Sequence, residues 1–250
     1  MKNKHIRILV LTAFVALTLN WSLQHLSGIS TFLCHYCPES ALQASVLLLS
    51  GEDVAKINAG NIAVLLALTV TTLAFGRGFC GWICPFGAIF EYLNLIGAKL
   101  NIIWNPPENV DSTLKYLKYI IFIGLILITA GIGAYIFRDF CPARALYLLE
   151  RPESGALLPL LILGVVLIGG IVIPRSFCRY LCPLGAYTAV IARISPTSVK
   201  LNSDLCIVCG KCKKACQLGI DPVVRIPKTE CTNCLDCIEE CPADALEVKL

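Results

Sequence analysis

Phe177-Cys178-Arg179-Tyr180-Leu181-Cys182-Pro183-Leu184-Gly185-Ala186 closes an uncharged apolar run, and it repeats Phe79-Cys80-Gly81-Trp82-Ile83-Cys84-Pro85-Phe86-Gly87-Ala88, which closes another. Both stretches read F-C-x3-C-P-x-G-A. A second pair of matches lies upstream: Cys37-Pro38-Glu39-Ser40-Ala41-Leu42 and Cys141-Pro142-Ala143-Arg144-Ala145-Leu146. The repeating unit is therefore an apolar span, C-P-x-x-A-L, a second span and F-C-x3-C-P-x-G-A, used twice. A unit that crosses a bilayer twice returns the chain to its starting side. The two copies are therefore parallel, and their matching cysteines share a face.

Four segments approach the roughly 20 apolar residues that a crossing needs: Ile6–Leu26, Ile57–Phe75, Leu117–Phe137 and Leu157–Ile173. The first continues past the length of a signal-peptide core without an A-x-A-like cleavage site, and it reads as a retained span. The whole chain is 56% apolar and 15% charged, against about a quarter charged in a soluble domain. Its charge is uneven. From residue 196 onward there are seven Lys/Arg against eight Asp/Glu, so the net +4 comes from residues 1–195. Basic residues that flank apolar spans point to a membrane surface and not to nucleic acid. Lys2, Lys4 and Arg7, then Arg77, Lys99, Lys115 and Lys118, then Arg175, Arg179, Arg193 and Lys200 fall on one side. The positive-inside rule makes that side, and both termini, cytoplasmic.

The last 55 residues are of another kind. Cys206-x2-Cys209-x2-Cys212-x3-Cys216 is followed by Cys231-x2-Cys234-x2-Cys237-x3-Cys241-Pro242. Thiolates are soft anionic donors suited to iron–sulfur clusters. Zinc ribbons use C-x2-C pairs separated by longer gaps, and disulfide frameworks scatter their cysteines, so neither accounts for this doubled register. Short strands are expected at Thr197–Leu201 and Leu246–Leu250. Lys211, Lys213 and Lys214 beside the first motif offer a docking surface for an acidic partner or anionic lipid; a solvated loop is the plainer reading.

This tail resembles the bacterial-type two-cluster ferredoxins. In these the fourth cysteine of each motif ligates the other cluster. The resemblance implies one [4Fe–4S] cluster on Cys206, Cys209, Cys212 and Cys241, and a second on Cys231, Cys234, Cys237 and Cys216. The first motif departs from the pattern by ending Cys216-Gln217 where such motifs carry Cys-Pro. Together with the membrane half, the chain resembles the NapH-type membrane polyferredoxins, which include NosR-like and CcoG-like proteins. That resemblance implies electron transfer between the quinone pool, or another membrane donor, and redox enzymes.

Seven cysteines remain. Cys80, Cys84, Cys178 and Cys182 supply two thiols per repeat on the expected cytoplasmic face, enough for a third cluster or a metal ion; inert packing is the alternative. Cys34, Cys37 and Cys141 are expected on the opposite face. They could complete a site with His35, form a redox-active disulfide, or bridge the repeats. His5 and His25 flank the first span on opposite sides and cannot pair on one haem.

The expected architecture is an all-α membrane domain, residues 1–195, with four transmembrane helices in two parallel repeats (about 1–100 and 101–195). A small α+β two-cluster domain follows, residues 196–250. The expected function is an electron-transfer subunit of a larger complex in the cytoplasmic membrane, with redox-protein partners and a link to quinone. Two other classes stay open: an enzyme that reduces an outer-face disulfide or metal ion through Cys34, Cys37 and Cys141, and an iron–sulfur or metal assembly factor. No nucleotide, flavin or Rossmann signature is present.

Overall fold

The computed structural model describes residues 2–24, 37–51, 59–135, 137–141, 145 and 157–249. Cys34 and His35 lie outside these residues, as do most of the C-P-x-x-A-L stretch after Cys141 and the ends of two expected spans.

The described part is mostly helical. In chain order the helices are α1 (Lys2–Gln24), α2 (Pro38–Leu49), α3 (Ala59–Phe75), α4 (Gly78–Trp82), α5 (Pro85–Lys99), α6 (Glu108–Ile132), α7 (Phe137–Phe140) and α8 (Leu157–Val172). A π-helical turn (Phe177–Leu181) leads into α9 (Pro183–Ala192). The tail contributes β1 (Ser198–Leu201), α10 (Lys211–Ala215), α11 (Asp236–Glu239) and β2 (Leu246–Lys249). Prolines set the helix starts. Cys37, Cys84 and Cys182 are the N-caps of α2, α5 and α9, each extended and each followed by proline at the first helical position. There the missing N–H costs nothing and the fixed φ suits the helix.

One described helix, Asn109–Ile132, is long and apolar enough to cross a membrane, with a mean hydropathy of 1.7. α3 and α8, with 17 and 16 residues, are shorter apolar helices. The third span differs from its expected bounds. Its helix begins at Glu108, straight after Pro107, and ends at a left-handed Gly133. The charges Asp111, Lys115 and Lys118 therefore lie inside the helix. It tolerates them because each is paired: Lys115 with Asp111, Asp111 also with Arg179, and Lys118 with Glu230 of the tail.

Polarity is distributed inside out. Leu9 and Leu17 of α1, Leu66 and Val70 of α3, Ile120, Ile123 and Leu127 of α6, and Leu161, Val165 and Ile168 of α8 are all exposed. Arg7, Arg77, Glu91, Lys118, Arg175 and Arg179 are buried. Small residues (Ala41, Ala44, Ala88, Ala186 and Ala189) line the helix contacts, α2 on α3, α5 on α8 and α9 on α6. Phe86, Phe90 and Phe177 form an aromatic cluster, with Phe86 and Phe177 centroids 5.7 Å apart.

In the tail, β1 and β2 pair antiparallel with Ser198 opposite Lys249 and Leu201 opposite Leu246. This hairpin of distant segments closes over Cys212 and Ile226. The tail sits against the C-terminal ends of α3 and α9. Thr197 Oγ1 donates to Ala74 O at 2.5 Å, Lys228 Nζ to Ser195 O at 2.7 Å, and Asn233 Nδ2 to Phe75 O at 2.8 Å. The Trp82 indole donates to Asn233 O at 2.9 Å. This side chain fastens the tail to the preceding helices.

Candidate redox centres

The two tail motifs fold alike. In the first loop Val208 (φ 52) and Gly210 (φ 70) flank the middle cysteine in the left-handed region; in the second, Asn233 (φ 47) and Leu235 (φ 66) do the same. Two left-handed residues around one cysteine curl the backbone so that neighbouring thiols face one centre. For a β-branched residue such as Val208 this is an unfavourable conformation that the surroundings must enforce.

Each curled loop borders a cavity. Cys216, Cys231, Cys234 and Cys237 line one, with Leu218, Ile220 and Ile226 as apolar wall. Cys206, Cys209, Cys212 and Cys241 line another, walled by Leu201, Val223 and Leu246. Each cavity therefore takes three thiols from one motif and the last from the other. A four-iron cluster takes one thiolate per iron, so its ligands stand apart around a cavity. Among the described residues, no three Cys, His, Asp or Glu side chains converge closely enough to hold a single metal ion. The donors and their spacing fit [4Fe–4S] clusters. Burial pushes the Cys231 thiol up to about 12, so ligation by iron is what would hold it as thiolate near neutral pH. The Ala245 N–H donates to Cys241 Sγ at 3.4 Å, the kind of bond that tunes cluster potentials.

In the membrane half the two F-C-x3-C-P stretches also fold alike. The N–H of Cys84 reaches the carbonyl of Phe79 at 3.0 Å, and that of Cys182 reaches Phe177 O at 2.9 Å. This five-residue closure is a π-turn, a feature frequent at functional sites. It sets the two thiols of each pair around one wide turn. The pairs then meet across the repeat: Cys84 lies in electrostatic reach of Cys80 and Cys178, and Cys182 of Cys178 and Cys80. Burial pushes Cys84 up to about 12 and Cys178 to about 11, Arg175 working against burial at Cys178. Gly185 N–H donates to Cys182 Sγ at 3.3 Å, and Thr188 Oγ1 lies 3.9 Å from Cys80 Sγ.

Two arginines complete this site, and sequence reasoning counted them only as topological charges. Arg77 and Arg175 each stand three residues before the first cysteine of their F-C-x3-C-P stretch, and each reaches into the other repeat. A Cβ on Gly185 would meet Arg77 Nη2 at 3.2 Å; one on Gly87 would meet Cys80 O at 2.7 Å and Arg175 Nη1 at 3.7 Å. The glycines of the motif thus make room for the partner repeat's guanidinium. Burial alone would pull Arg77 down, but Cys80, Glu230, Cys182 and Cys178 hold it above its ordinary value. Arg77 Nε has no hydrogen-bond partner among the described residues. Two buried cations over four thiols suit an anionic cluster at this place as well. The signal was available: R-x-F-C occurs in both repeats at the same offset.

Ion pairs join this site to the tail. Arg175 Nη2 reaches Glu91 at 3.1 Å; Glu91 also pairs with Arg7, which binds Asp236 of the second motif at 3.0 Å. Lys118 Nζ lies 2.6 Å and Arg77 Nη1 3.6 Å from Glu230, one residue before Cys231. Tyr180 donates to Asp111 at 2.6 Å, where Arg179 also binds.

Cys37 and Cys141 approach each other from the two repeats. Their thiols lie in electrostatic reach of each other. Glu39, two residues beyond Cys37, is buried and in reach of Cys182. The N-terminus of α2 therefore lies near the four-cysteine site.

The profile of a 4Fe-4S binding domain matches the chain twice, at residues 57–103 and 156–202. Both matches cover an F-C-x3-C-P stretch and the helix before it, and neither reaches the tail cysteines. An uncharacterised protein of Methanocaldococcus jannaschii, MJ0750, is 34% identical over 74% of this chain and 77% of its own length. The putative electron transport protein YccM of Escherichia coli is 30% identical over 78% of this chain, which spans 57% of that protein. The ferredoxin-type protein NapH of E. coli is 23% identical over 77% of this chain and 71% of its length. No solved structure matches the chain.

Proposed function

This chain belongs to the family of NapH- and NosR-like ferredoxin-type iron–sulfur proteins, and we propose that it relays electrons through three [4Fe–4S] centres across the cytoplasmic side of a membrane. An electron-transport role is common ground with its relatives. Beyond that, the reading assigns two clusters to the tail, on Cys206, Cys209, Cys212 and Cys241 and on Cys216, Cys231, Cys234 and Cys237. A third is held by Cys80, Cys84, Cys178 and Cys182. The membrane domain, residues 1–195, crosses four times through α1, α3, α6 and α8, with both termini cytoplasmic. The exposed apolar faces of all four helices support this. Helices of 16 and 17 residues reach about 24–26 Å, and their flanks or a thinned bilayer would make up the rest. The donor is a cytoplasmic or quinone-linked redox protein, and the acceptor lies within the membrane or at its outer face.

One observation carries the reading. Four thiols contributed by two repeats gather under two buried arginines, and one of those arginines also borders a tail cavity. The clusters supply one-electron redox chemistry when bound. The protein holds them, screens them from water and fixes their spacing. Iron and acid-labile sulfide analysis with EPR on the purified protein tests this. About twelve irons per chain is the expected outcome. About eight would remove the membrane centre, and two or fewer would end the electron-relay reading.

A second reading draws on the Cys37–Cys141 proximity. A half-buried dithiol beside the membrane centre could exchange two electrons and two protons as a disulfide, making the chain a reductase toward an outer substrate. Cys37→Ser and Cys141→Ser should then abolish turnover and leave iron content unchanged; retained turnover rejects it.

A further inference from the structure

The guanidinium of Arg175 is held on three sides. Nε donates to Gln217 Oε1 at 2.7 Å, Nη1 to the Cys80 carbonyl at 3.1 Å, and Nη2 to Glu91 at 3.1 Å. It is about 1% exposed. On one side lie Cys178 and Cys80 of the membrane half; on the other, Cys234 of the second tail motif. Arg175 and Gln217 both line the cavity bordered by Cys216, Cys231, Cys234 and Cys237, and neither lines the cavity of the other four tail cysteines. Arg77, its counterpart in the first repeat, is occupied differently. It bonds Thr229 O at 2.8 Å and faces Glu230, and it does not line either tail cavity.

Gln217 follows a cluster-bordering cysteine directly, where the second motif has Pro242 after Cys241. Proline offers no side-chain acceptor. The one motif end that abuts the membrane half carries a carboxamide, and that carboxamide holds the guanidinium.

Resting on the three-centre reading above, we propose that Arg175, oriented by Gln217, is a shared cation that sets the potentials of the membrane centre and the adjoining tail centre together. One electron moves between the two places and no bond forms or breaks. Each site gains a negative charge when it accepts the electron, and a fixed positive charge in a dry, low-dielectric position favours that state. Because one guanidinium serves both sites, it raises both potentials together. The distant tail centre on Cys206, Cys209, Cys212 and Cys241 is beyond its direct influence. Arg175 and Gln217 are positioning residues in this sense.

Potentiometric EPR titration of the full-length, cluster-loaded protein tests it. Arg175→Gln should shift two of three midpoint potentials to more negative values and leave the third unmoved. Arg175→Lys, which keeps the charge, should restore most of the shift. Gln217→Pro should move the same two potentials in the same direction by less, with iron content unchanged, and it carries the test alone if Arg175→Gln does not fold. No shift, a shift of all three, or a shift of one overturns the proposal. About eight irons in the unaltered protein would instead defeat the three-centre reading beneath it; about twelve with unmoved potentials defeats this inference alone.

Discussion

The tail and the membrane half handle cysteine in opposite ways. The tail gathers thiols with its own backbone: a seven-residue loop with two left-handed residues brings three of them to one cavity, and the other loop adds the last. The membrane half gathers four thiols from two stretches about a hundred residues apart, each closed by a π-turn and covered by the other repeat's arginine. Both tail sets are drawn from residues 206–241 alone, so the tail is self-contained. The divided set depends on packing, on glycine clearance and on buried charge, so it should break under substitutions that the tail would survive.

The largest effect tests that separation directly. Cys84→Ser or Cys182→Ser should remove about four irons per chain and one EPR signal while two signals persist. Cys234→Ser should instead cost a tail signal. Loss of every signal from Cys84→Ser would mean that the two regions are one cooperative unit, and the contrast would fail.

Next come the charges that bind the regions. Glu230 is the carboxylate for both Lys118 and Arg77, all buried. Glu230→Gln keeps the shape and strands two cations. Removing one partner of a buried pair typically costs about 3–5 kcal/mol. Limited proteolysis should then release the tail, and denaturant unfolding in detergent should show the loss. The tail's surface charges, by contrast, should be replaceable.

These two cases show what was legible in the sequence and what was not. The doubled motif and the strands near residues 198–201 and 246–249 could be read because the informative residues are neighbours in the chain or alternate simply. The repeat could be read too, and the family profile matches it twice. The roles of Arg7, Arg77, Lys118 and Arg175 could not. A lysine or arginine beside an apolar run looks the same whether it meets lipid headgroups or a carboxylate 112 residues away, as Lys118 does. For the same reason the third span was expected to begin nine residues late: Asp111 and Lys115, which pair with each other and with Arg179, look like loop.

A third substitution tests the two repeats against each other. Their motifs match, but their clearances differ. Gly87→Ala puts a Cβ 2.7 Å from a backbone carbonyl, whereas Gly185→Ala meets a guanidinium nitrogen at 3.2 Å and a carbonyl at 3.3 Å. A side-chain end can yield where backbone cannot. Overpacking costs about 1–3 kcal/mol, and Gly87→Ala should fall at the upper end and Gly185→Ala below it. The thermal midpoints of the two variants, measured in one detergent, check the order. Equal losses would mean that the first repeat can shift its backbone freely.

The smallest expected effect lies on the tail surface, where Lys213 Nζ is 3.0 Å from Asp221. The hydrogen bond from Lys213 holds the Asp221 carboxyl below the usual carboxylate range, with the Val223 N–H and the lysine's charge adding to it. A depressed folded-state value means that the pair contributes its stability at neutral pH, above the unfolded-state value. That stability is lost as pH falls through the folded-state value. Half the lysine side chain is exposed, so solvent screening limits the gain to less than about 1 kcal/mol. Asp221→Asn should therefore lower the denaturation midpoint slightly at pH 7 and leave it unchanged in strong acid, where the native carboxyl is itself protonated. Raising salt should erase the difference at pH 7. The Glu230→Gln loss should survive the same salt, because that pair is buried away from counterions. If salt erased both, the tail would be held to the membrane half by surface attraction, and the contrast between a self-contained and a packing-dependent site would lose its electrostatic basis.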